Sequence, residues 1–184
     1  SHPVSRPDYL EAEAVSRLLR IAQAADAPVI IVHTTNRASL AEIAAARRRG
    51  QKVYVETCPQ YLLLDDERYK EPDGAKYVMS PPLRTPEDNK ALLAACASGD
   101  IDTIGTDHCS FTMAQKLAAK DFSQIPNGGA GVRWRGELMY TYGVLAGRMN
   151  MQRFSALMSG NAAAVFGLEG RGRIAKDFAA DIVI

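Results

Sequence analysis

His33 and Asp107 each close a short apolar run, and that placement is where this sequence could do chemistry. Pro28-Val29-Ile30-Ile31-Val32-His33 ends on an imidazole. The run Ile101-Asp102-Thr103-Ile104-Gly105-Thr106-Asp107-His108-Cys109 delivers a carboxylate with a second imidazole beside it. Apolar runs of this length read as parallel strands covered on both faces. Barrel and open-sheet enzymes carry their reacting groups at the carboxyl ends of such strands. An imidazole and a carboxylate delivered there can hold a metal or work as an acid–base pair. The same two residues could also be a strand-end polar pair with no chemistry.

The elements that would position them follow from periodicity. Strands are predicted at 29–33, 52–57 and 101–106, the middle one being the β-branched run Lys52 to Cys58. Ahead of the first lies a helix with Asp8 as N-cap, Glu11 completing a capping box, and a buried face of Leu10, Ala14, Leu18, Ile21 and Ala22. A second helix, capped by Ser39, runs past Leu40 and Ile43 to Gly50. Its Arg47-Arg48-Arg49 suits the negative end of the helix dipole. A phosphate site is disfavoured there, because three adjacent arginines on a helix point in different directions. Pro59 stops the middle strand, Gln60 to Leu64 reads as a turn of helix, and Asp65 to Gly74 as charged surface. Tyr77-Val78-Met79 reads as extended, leading into Ser80-Pro81-Pro82-Leu83-Arg84. The prolines set Ser80 rigidly, either as a plain tight loop or as a loop that holds substrate. Thr85 and Pro86 open a helix that ends at Gly99. Beyond Asp107, a long connection from Ser110 to Ile125 is partly helical around Met113 to Ala119, and Pro126 to Gly131 is turn-rich. Glu137–Met149 and Met151–Phe166 read as helices, and Ile182-Val183-Ile184 as the start of a strand. Helix and strand alternate, which argues for an α/β fold with a parallel sheet. A complete (β/α)8 barrel needs about 250 residues, so only part of one is expected.

Composition narrows the classes. The chain has 184 residues, enough for one real core, with 47% apolar and 23% charged residues and a net charge of +1. Neither nucleic acid nor an anionic membrane surface is an expected partner. No apolar run is long enough to span a bilayer. The polar, proline-rich start, Ser1 to Pro7, does not read as a signal peptide. Three widely spaced cysteines, Cys58, Cys96 and Cys109, make neither a disulfide framework nor a metal knuckle, so a reducing, cytoplasmic setting is expected.

A set of motifs adds a family resemblance. Ser5-Arg6-Pro7, Ile31-Val32-His33, Tyr54-Val55-Glu56-Thr57-Cys58-Pro59-Gln60-Tyr61-Leu62, Met79-Ser80-Pro81-Pro82-Leu83-Arg84, Thr106-Asp107-His108-Cys109 and Ile125-Pro126-Asn127-Gly128 occur in this order. The ordered set resembles the D-hydantoinases and dihydropyrimidinases, cyclic amidases of the amidohydrolase superfamily, over essentially the whole chain. The resemblance implies the later strands and helices of a (β/α)8 barrel of metal-dependent hydrolase type over residues 1–175. Residues 176–184 would begin a strand of the flanking β-sandwich. It implies a hydrolase of cyclic amides, opening hydantoin or dihydropyrimidine rings at a binuclear site, usually zinc, in a homo-oligomer. His33 matches a metal-binding histidine. Asp107 matches the strand-end aspartate that binds metal and handles protons on the bridging hydroxide. Ser80 and Asn127 match positions whose backbone groups hold the ring amide.

Departures from the family pattern limit what this chain could do alone. The first-strand His-x-His pair, the carboxylated lysine, another metal-binding histidine and the tyrosine that supports the oxyanion have no counterpart here. Ala130-Gly131-Val132-Arg133 stands where Pro-Gly-Val-Glu is usual, placing a positive charge at an acidic position. Ser159 to Ala163 lacks a proline usual at that helix start, and Lys176 to Asp181 departs from a Gly-rich turn. The chain is therefore expected to be inactive alone. The alternative is a non-catalytic, dihydropyrimidinase-like scaffold, against which the presence of His33, Asp107 and Asn127 speaks. His2 is expected on the surface. His108 is expected to pack or support rather than ligate, since strand neighbours face opposite ways. Cys58 and Cys109 are expected in the core.

Overall fold

The computed structural model describes residues 2–119 and 121–183. In chain order the elements are α1 (His2–Ser5), α2 (Asp8–Ala24), β1 (Val29–Ile31), α3 (Arg37–Arg48), β2 (Val53–Thr57), α4 (Pro59–Leu63), α5 (Pro86–Ser98), β3 (Thr103–Ile104), α6 (Met113–Leu117), α7 (Arg135–Met139), α8 (Met151–Ser155) and α9 (Asn161–Val165). The strands form a three-stranded parallel sheet in the order β1-β2-β3. Val29 lies opposite Val53 and Ile31 opposite Val55, while Glu56 lies opposite Thr103 and Thr57 opposite Ile104. The fold is α/β, with helical connections between successive parallel strands. No helix among the described residues is long and apolar enough to cross a membrane.

β1 and β3 stop earlier than periodicity alone predicts, whereas β2 ends at Thr57 as predicted. His33 has φ 38° and Asp107 φ 47°. Both are in the left-handed region, where a strand cannot continue. At the opposite end of the sheet the Asp102 carboxylate accepts from Val55 N at 2.7 Å and from the Arg47 guanidinium at 2.6 Å. Arg47 also donates to Val53 O. The first arginine of the basic run thus clamps the start of β2 to the start of β3.

The core lies between the sheet and the helices outside it. Ile31, Val53, Val55 and Ile104 pack with Leu19 of α2, Ile43 of α3, Leu92 of α5 and Ile101, all buried. Each such side chain contributes about 1.5–3 kcal/mol. Their sum exceeds the roughly 1–3 kcal/mol that each left-handed non-glycine residue costs, so the core can hold both strand ends strained. On β2 the residues alternate. Val53, Val55 and Thr57 are buried, whereas Tyr54 and Glu56 on the other face are half-buried.

Several local expectations are corrected by the packing. In α2 the residues facing α3 are Val15, Leu19 and Ala22, while Leu10 is 50% and Ile21 61% exposed. The two stripes are neighbours on one helix, and the better-packed one wins. Pro7, not Asp8, occupies the N-cap of α2. Glu11 makes no capping box but turns inward. Ser39 does not cap α3; Asn36 does, its side chain accepting from Ser39 N at 2.8 Å. Gly74–Tyr77 is a 3₁₀ turn, so extended backbone begins only at Val78.

Other expectations are met. Thr85 and Asp88 form a capping box at α5, Pro86 is its first residue, and Gly99 ends it with φ 105°. The two C-terminal helices form, with α7 continuing as a π-helical stretch over Tyr140–Leu145 and α8 joined to α9 by another over Ala156–Gly160. Ile182 and Val183 have no strand partner among the described residues. Ile184 lies outside the described residues.

Candidate active site at the carboxyl ends of the strands

One residue separates His33 from the end of β1, and two separate Asp107 from the end of β3. Both face the end of β2 between them, where Glu56 stands. The Glu56 carboxyl group lies within electrostatic reach of His33, the Asp107 carboxylate and Arg135. Burial raises its pKa above the ordinary 4.5. The His33 contacts and Arg135 pull it back down, and the Asp107 charge pushes it up. Beneath it lies Gly105, where an added Cβ would sit 2.5 Å from Glu56 Cδ. The carboxylate therefore occupies the space that a side chain just past β3 would need. Spacing alone had not singled out Glu56. Its only signal was an acid in an otherwise β-branched run, at the end that also delivers His33 and Asp107.

A buried polar network ties the His33 loop to the Ser80 loop. Arg84, 6% exposed, donates to Thr35 Oγ1 and to Glu11 Oε2, both at 3.0 Å, and to Arg6 O. Glu11 accepts from Thr35 N at 2.9 Å and from the Thr35 hydroxyl. The ion pair between Arg84 and Glu11 is nearly solvent-free, so its Coulombic attraction is poorly screened. Thr34, next to His33, carries the one buried side-chain polar atom without a hydrogen-bond partner among the described residues. Such an orphan costs about 1–3 kcal/mol. Like the left-handed His33 and Asp107, it lies at this end of the sheet.

Ser80 and Asn127, 47 residues apart, meet directly. Ser80 Oγ donates to Asn127 Oδ1 at 2.8 Å, and Asn127 Nδ2 donates to Ile125 O at 3.0 Å. Both residues are exposed. An open groove of about 680 Å³ elsewhere, between α4, α5 and α7, contains none of the four candidates.

Two of the sequence-based readings change. His2 is buried, not on the surface; its Nε2 donates to Met79 O at 2.8 Å and its Nδ1 accepts from Arg6 at 3.2 Å. Burial holds its pKa below 6.5, with Arg6, Arg84 and Lys116 acting in the same direction. Cys109 is exposed rather than in the core, because the turn at Asp107 carries the chain away from the sheet. Arg133, the positive charge at a position acidic in the family pattern, lies 4.5 Å from the Trp134 ring centroid in a cation–π contact. Cys58 is buried as expected, and burial first, then the Glu56 and Asp107 charges, push its thiol far up. It is no nucleophile at neutral pH.

Imidazole and carboxylate are suitable metal donors. Among the described residues, however, no three His, Cys, Asp or Glu side chains converge on a metal-sized position. The described residues alone therefore do not make up a metal centre.

Comparison with known proteins gives a consistent lineage. No family model matches the chain. D-phenylhydantoinases from Escherichia coli are 44% identical over an alignment of 187 residues that covers 100% of this chain and 41% of theirs. The D-hydantoinase of Bacillus sp. AR9 superposes with a TM-score of 0.94 at 39% identity, covering 98% of this chain and 41% of that one. Dihydropyrimidinase from Brevibacillus agri gives 0.91 at 38% identity, over 95% of this chain and 39% of that one. L-Hydantoinase from Arthrobacter aurescens gives 0.86 at 30% identity, over 92% and 38%. The chain spans 41% of the length of the curated relatives it matches, and over that span it is similar to D-hydantoinases and dihydropyrimidinases.

Proposed function

We propose that this chain supplies part of the active site of a metal-dependent hydrolase that opens cyclic amides of the hydantoin or dihydropyrimidine kind. The observation that carries the reading is the placement of His33 and Asp107 in left-handed turns at the carboxyl ends of parallel strands, in a chain 44% identical over its length to D-phenylhydantoinases. In this reading residues 1–175 are a portion of a (β/α)8 barrel. Residues 176–184 begin a strand whose partners belong to segments that this chain does not contain.

His33 and Asp107 would be two donors of a metal centre, zinc in our reading, completed by residues outside this chain. Asp107 is also the group that would take and return a proton during ring opening. Ser80 and Asn127, held together at 2.8 Å, would present the backbone groups that align the ring amide. A cytoplasmic homo-oligomer fits the same reading.

The test is metal analysis with a ring-opening assay on hydantoin and dihydrouracil. The 184-residue chain alone is expected to hold substoichiometric metal and show no useful turnover. A catalytic zinc normally keeps three protein ligands, and a missing oxyanion donor alone costs about 10²–10³ in rate. Adding the complementary segments of a D-phenylhydantoinase relative should restore turnover, and Asp107→Ala should abolish it. Stoichiometric zinc with turnover from the chain alone would overturn the incomplete-site reading. A complemented protein indifferent to Asp107→Ala would overturn the assignment of Asp107.

A further inference from the structure

We infer that His108 is a positioning residue. It holds the loop of Asn127 to Val132 against the end of β3 by presenting the Nδ1 lone pair of an Nε2–H imidazole. The inference rests on the reading of Ser80 and Asn127 as the substrate-holding pair, and gives that pair its anchor.

The geometry is a flush contact between two short segments. Past the left-handed Asp107, His108 forms an isolated parallel bridge with Gly129, and Cys109 N donates to Gly129 O at 3.1 Å. Gly131 N donates to His108 Nδ1 at 3.0 Å, and Val132 N points at the same atom at 3.4 Å. A ring nitrogen that accepts backbone N–H groups carries no proton, so the neutral ring has its proton on Nε2. The glycines in the loop are there for closeness. A Cβ on Gly128 would sit 2.3 Å from Cys109 O, and one on Gly131 2.9 Å from Thr106 O. Gly128 N donates to Val78 O at 3.1 Å on the far side, two residues before Ser80. Asn127 is thus caught between His108 and the Ser80 loop, and its contact with Ser80 follows from where the loop is pinned.

Among the described residues, the imidazole of His108 alone supplies an acceptor to Gly131 N and Val132 N. An asparagine carries its Oδ1 on Cγ, as histidine carries Nδ1, so His108→Asn keeps an acceptor in about the same place. His108→Ala keeps none. A side chain that merely packed would be replaced equally well or badly by either.

The experiment uses the 184-residue chain, which has three histidines. With ¹⁵N-labelled histidine at mildly alkaline pH, the resonances lost in His108→Ala should be those of an unprotonated Nδ1 and a protonated Nε2. Amide exchange at Gly131 and Val132 should quicken roughly five- to tenfold in His108→Ala, as expected for one lost hydrogen bond. It should return close to wild type in His108→Asn. An Nδ1–H tautomer, or exchange unaltered by His108→Ala, would overturn the inference. Hydantoin titration of the chain complemented with the remaining segments of a D-phenylhydantoinase relative separates it from the substrate reading. Weaker binding in both Asn127→Ala and His108→Ala supports both. Weaker binding in Asn127→Ala alone overturns the positioning role and leaves the substrate reading standing. If the complemented wild-type protein binds no hydantoin, the substrate reading fails, and the tautomer and exchange results decide His108 for or against.

Discussion

At the scale of single residues, two buried bases set expectations for stability. His2 is held below its ordinary pKa of 6.5 chiefly by burial, opposed by its bond to Met79 O. Unfolded, it takes up a proton near 6.5; folded, only at lower pH. Between those values the unfolded chain binds more protons, so stability present above about 6.5 is lost as pH falls through that window. His2→Gln keeps an Nε2–H donor for Met79 O and removes the titration. Urea midpoints across this range should therefore fall less steeply with acid in the variant, and an identical acid limb would point to another group. Lys116 is 4% exposed and donates its Nζ to Val78 O at 2.6 Å. Burial lowers its pKa. Val78 O also accepts from Gly128 N, so it keeps a partner if the ammonium goes. Lys116→Met should thus be neutral or stabilising, by up to about 1 kcal/mol in thermal unfolding, because a buried charge without a counter-ion is costly. A loss above about 2 kcal/mol would mean that the ammonium is better partnered than its hydrogen bonds indicate.

At the scale of elements, Asp88 joins two helices. Its carboxylate completes the capping box of α5 with Thr85 and also accepts from Arg37 N, at the start of α3, at 3.1 Å. Thr85→Ala removes one cap and should cost about 1 kcal/mol. Asp88→Ala leaves donors of two helices unpaired around a site 2% exposed and should cost about 2–4 kcal/mol. Chemical denaturation of both variants checks the order, and equal losses would show that the contact with α3 is energetically idle. The Glu11–Arg84 network is the corresponding device at the sheet's carboxyl end. It links α2, the loop after His33 and the end of the Ser80 loop.

At the scale of the whole molecule, the sheet has open edges. Among the described residues β1 and β3 pair only with β2. Val32 beside β1 is 47% exposed, and Leu10 and Ile21 of α2 are exposed as well. Unpaired strand backbone beside apolar surface is a template for association. The isolated chain should self-associate in sedimentation velocity experiments, and adding the complementary segments of a relative should suppress it. A monodisperse monomer at all accessible concentrations would show that these edges are protected.

Sequence alone determined those features that need only near neighbours and a period. Apolar runs of period-two and buried type placed all three parallel strands, and Thr85-Pro86 with Gly99 marked both ends of α5. The strand ends at His33 and Asp107 were legible for the same reason, because each polar residue closes an apolar run. Only the tertiary structure decided what depends on residues far apart in the chain. Val15 and Leu19, not Leu10 and Ile21, face the core because α3 packs on that stripe. Arg84 meets Glu11 across 73 residues, His2 finds Met79 across 77, and Ser80 meets Asn127 across 47. Glu56 gained its place between His33 and Asp107 only when β2 became the central strand. Periodicity reports which face of an element is apolar. Which polar groups are desolvated together depends on which elements pack, and that is set by the shape of the whole chain.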